Sequence, residues 1–458
     1  ARDVKGEKEN IIAVIGDGSL SGGEAYEGLN NAAESGKNII IVVNDNDMSI
    51  AENHGGLYKN LAQLRETNGA SENNFFKALG FEYYYVGEGN NVEALIETFN
   101  KVKNTEHPVV VHIHTIKGKG YEEAEKNKEA FHWVMPFDLE NKESDISEFP
   151  ESYTDIAGKF LVEKAKKDKK IVAITAATPA PVGLNYFRQE ESLKEQYVDV
   201  GIAEEHAVAF ASGIASQGGK PVLSILSSFV QRTYDQLSQD LAINNNPALI
   251  MISWAGITGG DVTHLGIFDI PLISNIPNIV YLAPTSKEEC IAMIEWGIEQ
   301  KNHPVAIRVP NGNVISTGVK VKADFHNLNV YEKTIDGSEV AIIGLGSFYD
   351  LGKRVQEKLQ SETGIKATLI NPRFITGVDK DLLTDLLDNH KLVVTLEDGV
   401  LDGGFGEKIS RFYGDKNMKV LNFGATKEFT DRVSLEELYE RYHLTEDLII
   451  NDIKTALK

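Results

Sequence analysis

Short apolar runs recur along the chain and alternate with amphipathic stretches of helical length. Many of the runs are continuous Val and Ile, and they end at Gly, Asn or Asp. This pattern is typical of strands that are buried on both faces of a parallel sheet covered by helices. The clearest predicted strands are Ile11–Ile15, Ile39–Val43, Val109–Ile113, Ile171–Thr175, Pro221–Leu226, Ala248–Ile252, Val340–Ile343, Ala367–Ile370 and Leu392–Leu396. We therefore expect an α/β fold of doubly wound, mostly parallel sheets.

Two polar seams divide this pattern. Asp138–Tyr153 is rich in Asp, Glu, Ser and Pro, and Asn311–Ile335 is similarly broken. The seams predict three domains, at residues 1–140, 150–315 and 330–458. The first has few predicted strands for a doubly wound sheet, and the chain begins Ala-Arg-Asp-Val-Lys-Gly, so we expect a truncated or processed N-terminus.

Composition narrows the class of protein. The 458 residues carry a formal charge of −22, which repels nucleic acid and anionic lipid, so we expect neither as a partner. No apolar run approaches the roughly 18 residues that span a bilayer. The single cysteine, Cys290, excludes an internal disulfide and fits a reducing, cytoplasmic compartment.

Polar side chains follow two consecutive predicted strands. Asp17, in Gly-Asp-Gly, and Asn46, in Asn-Asp-Asn-Asp, lie 29 positions apart and are separated by one predicted helix over 19–36. Carboxyl ends of parallel strands line the ligand crevice, and hard oxygen atoms suit Mg²⁺ shared with a phosphate. Each motif alone is more simply explained as a turn, but the two together at this spacing favour a diphosphate and magnesium site.

These residues resemble the thiamine-diphosphate motif of transketolase-like enzymes. The continuation Asn44–Asn53 resembles the 1-deoxy-D-xylulose-5-phosphate synthase family more closely, and the resemblance runs along nearly the whole chain. It implies that Mg²⁺ is held by Asp17, Asn46 and the backbone carbonyl of Met48, and that the diphosphate contacts Gly18 and Ser19.

Further motifs match the same family. Lys117-Gly-Lys-Gly-Tyr121 and Phe131-His132 imply that Tyr121 contacts the cofactor and that His132 lies in the active site. Ala-Glu204-Glu-His206 stands where the family has Ala-Glu-Gln-His, and it implies that Glu204 bonds a ring nitrogen of the aminopyrimidine and activates the cofactor. The alternative is an acidic pair that complements a helix dipole.

The segment Ser227–Gln236 and the loop after it supply the remaining candidates. By the resemblance, Phe229 stacks on the aminopyrimidine, although a core phenylalanine is an equal alternative. Arg232 and Asp235 could pair across one helical turn. Asp261 and His264 match family residues that contact the acceptor and stabilise or protonate oxygen atoms, and His206 is a further histidine candidate.

Substrate recognition departs from the family pattern. Trp254 and Asn311 replace two arginines that clamp the acceptor phosphate, Leu226 replaces a tyrosine, and the segment Arg65–Asn74 is much shorter. Neither Trp nor Asn supplies the charge of a guanidinium. The acceptor therefore need not be glyceraldehyde 3-phosphate. Arg308 is either a substitute anion contact or a structural arginine.

The resemblance implies a transferase of isoprenoid precursor biosynthesis that decarboxylates pyruvate, a 2-keto acid, and joins the two-carbon unit to an aldehyde. It also implies a homodimer, because different domains bind the two ends of the cofactor. Two alternatives stay open, a transketolase-type ketol transfer and a catalytically inactive cofactor-binding subunit. His112 and His114 share a strand face, where a buried or cofactor-facing pair is favoured over a zinc site. The third domain receives no catalytic residue.

Overall fold

The computed structural model describes residues 1–134, 137, 150–321 and 324–458. The chain forms two compact units. The first comprises Ala1–Phe149, Ala176–Thr178 and Asp199–Ala203, and the second comprises Pro150–Thr175, Pro179–Val198 and Glu204–Lys458. Most of the seam expected at 138–153 lies outside the described residues. The division into three domains stays a prediction.

A four-stranded sheet forms the centre of the first unit. Its strands, all parallel, are β1 (Ile11–Gly16), β2 (Ile39–Asp45), β3 (Glu82–Val86) and β4 (Val109–His114), in the order β1-β2-β4-β3. The helices are α1 (Arg2–Lys5), α2 (Gly23–Glu34), α3 (Gly56–Glu66), α4 (Phe75–Ala78), α5 (Val92–Val102) and α6 (Glu122–Lys126). The helix expected over 19–36 is a 3₁₀ turn, Gly18–Ser21, followed by α2.

Apolar side chains pack on both faces of this sheet. Val43 packs with Leu61 and Phe76 on one face, and Val42 packs with Val109 on the other. The expectation of burial on both faces was wrong for the edge strand β1, where Ile12 is 52% and Val14 is 71% exposed. Among the described residues no element covers that part of the sheet.

The second unit contains two sheets. The six-stranded sheet has the order β6-β5-β7-β8-β10-β9, and the pairs β5-β7, β7-β8, β8-β10 and β10-β9 are parallel. Its strands are β5 (Ile171–Thr175), β6 (Tyr197–Asp199), β7 (Lys220–Leu226), β8 (Leu249–Ala255), β9 (Val280–Leu282) and β10 (Val305–Pro310).

The five-stranded sheet has the order β11-β13-β12-β14-β15. Its strands are β11 (Glu332–Ile335), β12 (Glu339–Gly344), β13 (Thr368–Asn371), β14 (His390–Val400) and β15 (Lys419–Ala425). The edge strand β11, at the end of the second predicted seam, is antiparallel to β13, and the other pairs are parallel. The expected class of mostly parallel α/β sheets is confirmed.

Eleven α-helices are described in the second unit. They are α7 (Tyr153–Ala165), α8 (Asn185–Arg188), α9 (Glu204–Ser216), α10 (Tyr234–Gln236), α11 (Asp269–Ser274), α12 (Lys287–Glu299), α13 (Phe348–Thr363), α14 (Lys380–Asp385), α15 (Phe405–Tyr413), α16 (Leu435–Arg441) and α17 (Glu446–Ala456). Local sequence fixes several ends: Ser152 and Asp155 form a capping box at α7, and Gly364 ends α13 at φ 78°. None of the described helices is both long and apolar enough to cross a membrane.

Candidate active site

The carboxyl ends of β1 and β2 place Asp17 in a buried polar cluster of the first unit. The register pairs Gly16 with Asn44, so Asp17 emerges beside the loop that follows β2. Its Oδ2 accepts hydrogen bonds from the Met48 amide at 3.0 Å and from Asn53 Nδ2 at 2.7 Å. Burial raises the pKa of Asp17, and the Asn53 bond only partly opposes it. Among the described residues no cation pairs with this carboxylate.

Three other oxygen atoms of this cluster have no hydrogen-bond partner. Asn46 Oδ1, Ser49 Oγ and Asn53 Oδ1 are all buried and unsatisfied. Buried polar atoms are nearly always paired, so three unpaired oxygen atoms in one loop are what a cation site would present. A buried carboxylate beside free amide oxygens is a donor set that suits Mg²⁺. The residues present therefore fit the cation that the sequence predicts, with Met48 contributing backbone to the same loop.

The turn after Asp17 fits a phosphate. A Cβ on Gly18 would lie 2.8 Å from Ser49 Oγ, so only glycine allows this close approach. Ser19 is exposed on the 3₁₀ turn Gly18–Ser21, which precedes α2. Free amides ahead of a helix attract anions. The predicted diphosphate residues thus stand beside the predicted metal residues.

Two more predicted residues of the first unit are His132, which lies beside Lys117, and Tyr121, which packs against Phe131. Lys117 donates from Nζ to the Ser49 carbonyl and lies 3.2 Å from His132 Nδ1. Burial lowers the pKa of both side chains, and the Lys117 charge adds to the effect on His132. The Tyr121 ring packs 5.6 Å from Phe131, the residue before His132. Lys117 begins the motif that contains Tyr121, but the sequence alone assigned no role to Lys117.

The two histidines of β4 have different surroundings. His112 is fully buried between Tyr83 and Asp45, with ring nitrogens 2.7 Å from the Tyr83 hydroxyl and 2.8 Å from Asp45 Oδ2. His114 is partly buried, and burial lowers its pKa. No cluster of three or more His, Cys, Asp or Glu side chains within the described ranges could hold a metal ion. His112 is thus a satisfied core histidine.

In the second unit, Glu204 begins α9 with its carboxyl buried. It is 3% exposed, and its Oε2 accepts from Arg232 Nη1 at 2.5 Å. The other terminal nitrogen of this guanidinium, Arg232 Nη2, lies 3.2 Å from Glu205 Oε1. Burial raises the pKa of Glu204, which the Arg232 charge opposes. Arg232 thus pairs with the acidic pair of α9, not with Asp235 as considered from the sequence.

Three predicted residues of the second unit come together around one loop. The Phe229 and His264 rings are 5.5 Å apart in an edge-to-face arrangement. His264 Nδ1 lies 3.1 Å from Asp261 Oδ1. Hydrogen bonds from Thr263 and His264 lower the pKa of Asp261 to about 2. His206 lies elsewhere on the surface of α9, exposed, with its ring 5.8 Å from Phe210.

Arg308 is a structural residue. Its guanidinium is 3% exposed, with Nε 2.7 Å from Asp269 Oδ2 and Nη1 bonded to Asp398. The structural alternative for this arginine is confirmed, because both carboxylates already occupy its donors. Trp254, by contrast, is 41% exposed at φ 56°, and Asn311 is exposed.

The comparisons cover almost all of the chain. Residues 1–72 and 67–115 match the family model "1-deoxy-D-xylulose-5-phosphate synthase", residues 151–316 match "Transketolase, pyrimidine binding domain", and residues 331–449 match "Transketolase, C-terminal domain". Among solved structures, transketolase from Campylobacter jejuni aligns with a TM-score of 0.58 at 16% identity, over 98% of this chain and 78% of that one. A "split gene transketolase, inactive beta4 tetramer" aligns at 0.57 and 22% identity, over 67% of this chain and 99% of that one. These likenesses confirm the transketolase-like fold.

Curated relatives are closer in sequence. The 1-deoxy-D-xylulose-5-phosphate synthase of Clostridium tetani is 36% identical over an alignment of 492 positions, gaps included, that covers 99% of this chain and 78% of that protein. The synthase of Caldanaerobacter subterraneus subsp. tengcongensis is 37% identical over an alignment of 497 positions, gaps included, that covers 100% of this chain and 79% of that protein. At this identity and coverage, the chain belongs to the 1-deoxy-D-xylulose-5-phosphate synthase family.

Proposed function

We propose that this protein is a thiamine-diphosphate- and Mg²⁺-dependent transferase that decarboxylates pyruvate and joins the two-carbon unit to an aldehyde. The observation that carries the proposal is the buried carboxylate of Asp17, bonded by the Met48 amide, together with the unsatisfied Asn46 Oδ1 two residues earlier in the same loop. Asp17, Asn46 and the Met48 backbone would hold the cation, and Gly18 and Ser19 would contact the diphosphate. When bound, the cofactor supplies a carbanion and an electron sink.

Glu204 would hold a proton at a ring nitrogen of the aminopyrimidine. Its burial raises its pKa, so the carboxyl can keep a proton closer to neutral pH than an exposed glutamate. The positive charge of Arg232 limits the rise in the pKa of Glu204, and Arg232 Nη1 holds Glu204 Oε2 at 2.5 Å. Phe229 offers an aromatic face for the same ring system.

The histidines would hold or deliver protons at substrate oxygens. An ammonium can only donate, so the contact with Lys117 makes Nδ1 of His132 an acceptor and leaves the ring proton on Nε2. His264 has the opposite arrangement: its Nδ1 faces the Asp261 carboxylate, which can only accept, so Nδ1 donates and Nε2 is left as an acceptor towards a substrate. Asp261 would contact the acceptor. The exposed His206 is retained as a proposed site residue on the motif match alone.

We expect the acceptor aldehyde to bind without a strong requirement for a phosphate. Trp254 and Asn311 stand where the family has arginines, and Arg308 is committed to Asp269 and Asp398. A bidentate guanidinium is the usual partner of a phosphate. Steady-state kinetics with glyceraldehyde 3-phosphate and unphosphorylated glyceraldehyde test this point, with an expected kcat/KM ratio below about tenfold. The double variant Trp254→Arg/Asn311→Arg should increase the ratio, whereas a wild-type preference above about a hundredfold would refute the proposal.

The central experiment measures binding and turnover together. Calorimetry with thiamine diphosphate and Mg²⁺ should show saturable binding, and labelled pyruvate with an aldehyde should release CO₂ and give a joined product. Glu204→Gln should retain cofactor binding and lose about 10²–10⁴-fold in turnover. Ketol transfer without CO₂ release would favour transketolase chemistry, and binding with no turnover would favour an inactive subunit.

We also propose a cytoplasmic homodimer. The cysteine content supports the compartment, since Cys290 is the one cysteine of the chain and is buried. The dimer is the expectation for a family whose cofactor contacts two domains. Sedimentation of the purified protein checks it, with a mass of twice 50.5 kDa expected.

A further inference from the structure

The loop that carries the proposed metal residues has a strained backbone. It spans Asn44–Met48, where β2 ends at Asp45, and Asp47 lies in the left-handed region at φ 59°. This conformation is uncommon for a residue with a Cβ, and although Asp adopts it more readily than most, contacts that favour it are expected nearby. Asp47 stands between Asn46 and Met48, so its conformation sets the directions of both. Some other part of the unit must therefore stabilise this loop.

Arg65, in the last turn of α3, bridges the two residues that flank Asn46. Its Nη1 lies 2.6 Å from Asp45 Oδ2, and its Nη2 lies 2.6 Å from Asp47 Oδ1. The planar guanidinium fixes both carboxylates in one geometry, which a lysine ammonium cannot do. The Arg65 side chain is only 13% exposed, so these bonds are partly shielded from water.

Asp45 also holds this loop through hydrogen bonds with the Asp47 amide and with His112. Asp45 Oδ1 accepts the Asp47 amide at 3.0 Å, which closes the turn around Asn46. Asp45 Oδ2 also accepts from His112 Nε2, and His112 Nδ1 accepts from the Tyr83 hydroxyl. The carboxylates of Asp45 and Asp47, on either side of Asn46, are thus engaged, whereas Asn46 Oδ1 has no partner.

We propose that Arg65 is a positioning residue that holds the loop Asn44–Met48 so that Asn46 and Met48 face the cation, an inference that rests on the proposed Mg²⁺ site. Arg65 does not reach the ligands themselves. It acts through Asp45 and Asp47, as groups behind metal ligands commonly do. Loss of its fork frees Asp47 to leave the left-handed conformation and turns Asn46 away from the site.

The test compares full-length Arg65→Gln and Arg65→Lys with a matched control, Arg373→Gln. Arg373 is 14% exposed, bonds Glu289 and Glu332, and also lies at positive φ, but it belongs to the second unit. Metal titrations at saturating thiamine diphosphate should show a Kd for Mg²⁺ about 10–100-fold weaker in Arg65→Gln. Arg65→Lys should be intermediate, kcat should recover at high Mg²⁺, and Arg373→Gln should lower the unfolding temperature with an unchanged Kd.

Amide exchange in metal-free protein separates this inference from the proposed function. Arg65→Gln should increase exchange at Asp47 and Met48, and Arg373→Gln should not. Asp47→Asn, which tolerates the left-handed conformation but loses the charge, gives a smaller increase and covers the case in which Arg65→Gln fails to fold. Unchanged exchange in the Arg65 and Asp47 variants overturns the inference whether or not metal binds. If Arg65→Gln increases exchange but the wild-type protein binds no Mg²⁺, the proposed metal site is rejected and the role of Arg65 in holding the loop is supported.

Discussion

Two buried polar clusters of this molecule are built on opposite principles. In the second unit, Arg308 meets Asp269 and Asp398, so cation and carboxylates compensate one another. In the first unit, Asp17 receives only neutral donors, and the neighbouring Asn46 Oδ1 has none. The paired cluster needs nothing beyond the fold itself, whereas the unpaired Asn46 Oδ1 fits the proposed metal site. Substitutions in the paired cluster should therefore change stability, and substitutions at Asp17 should change ligand binding.

Arg308→Met should cause the largest loss of stability. Removal of the cation leaves Asp269 and Asp398 buried without their partner, which typically costs about 3–5 kcal/mol. Urea unfolding at pH 7 measures the change. Arg354→Met is the control, since Arg354 pairs with Asp350 and Glu446 while 48% exposed, and it should lose about 1 kcal/mol or less. A loss below 1 kcal/mol for Arg308→Met would contradict the structural reading of this cluster.

Glu397, the residue before Asp398, is a buried carboxyl outside these ion pairs and should make stability depend on pH. It is fully buried and accepts the amides of Phe405 and Gly406, yet it forms no ion pair among the described residues. Burial outweighs these bonds and raises the pKa of Glu397 to about 7. Between the ordinary pKa of a glutamate and pH 7, the Glu397 carboxyl has released its proton in the unfolded chain but keeps it in the folded chain. Stability should therefore fall across this window by on the order of 3 kcal/mol.

Glu397→Gln removes this proton equilibrium. The variant is expected to be less stable than the wild type at pH 5, because the amide cannot accept both backbone bonds, and to close the gap by pH 8. Thermal unfolding at both pH values measures the change, with Glu357→Gln on the exposed side of α13 as the control. A constant difference between wild type and variant across this range would show that the carboxyl is ionised throughout.

The sequence predicted the sheets better than it predicted the contacts of the site. Val/Ile runs such as Ile39–Val43 identify strands because burial on both faces leaves no polar positions, whereas the tyrosine-rich β3 (Glu82–Val86) gives no such run. Asp17 and Asn46 were predictable because the ends of parallel strands converge. The contacts of Arg65 and Arg232 were not, since tertiary packing sets their partners at separations with no periodic signal.

The smallest expected effect compares two buried aspartates of the first unit. Burial raises the pKa of Asp17, so its charge destabilises the metal-free fold above its ordinary titration range, and Asp17→Asn should raise the unfolding temperature by about 1–4 °C at pH 7. Asp45 is the matched opposite: burial alone would raise its pKa, but bonds from His112 and Arg65 hold the pKa at about 2, and Asp45→Asn should destabilise. Thermal unfolding in chelator, then with Mg²⁺ and thiamine diphosphate, measures both changes. Ligand should stabilise the wild type and not Asp17→Asn. A destabilised Asp17→Asn that still responds to ligand would assign Asp17 to the fold instead of the metal.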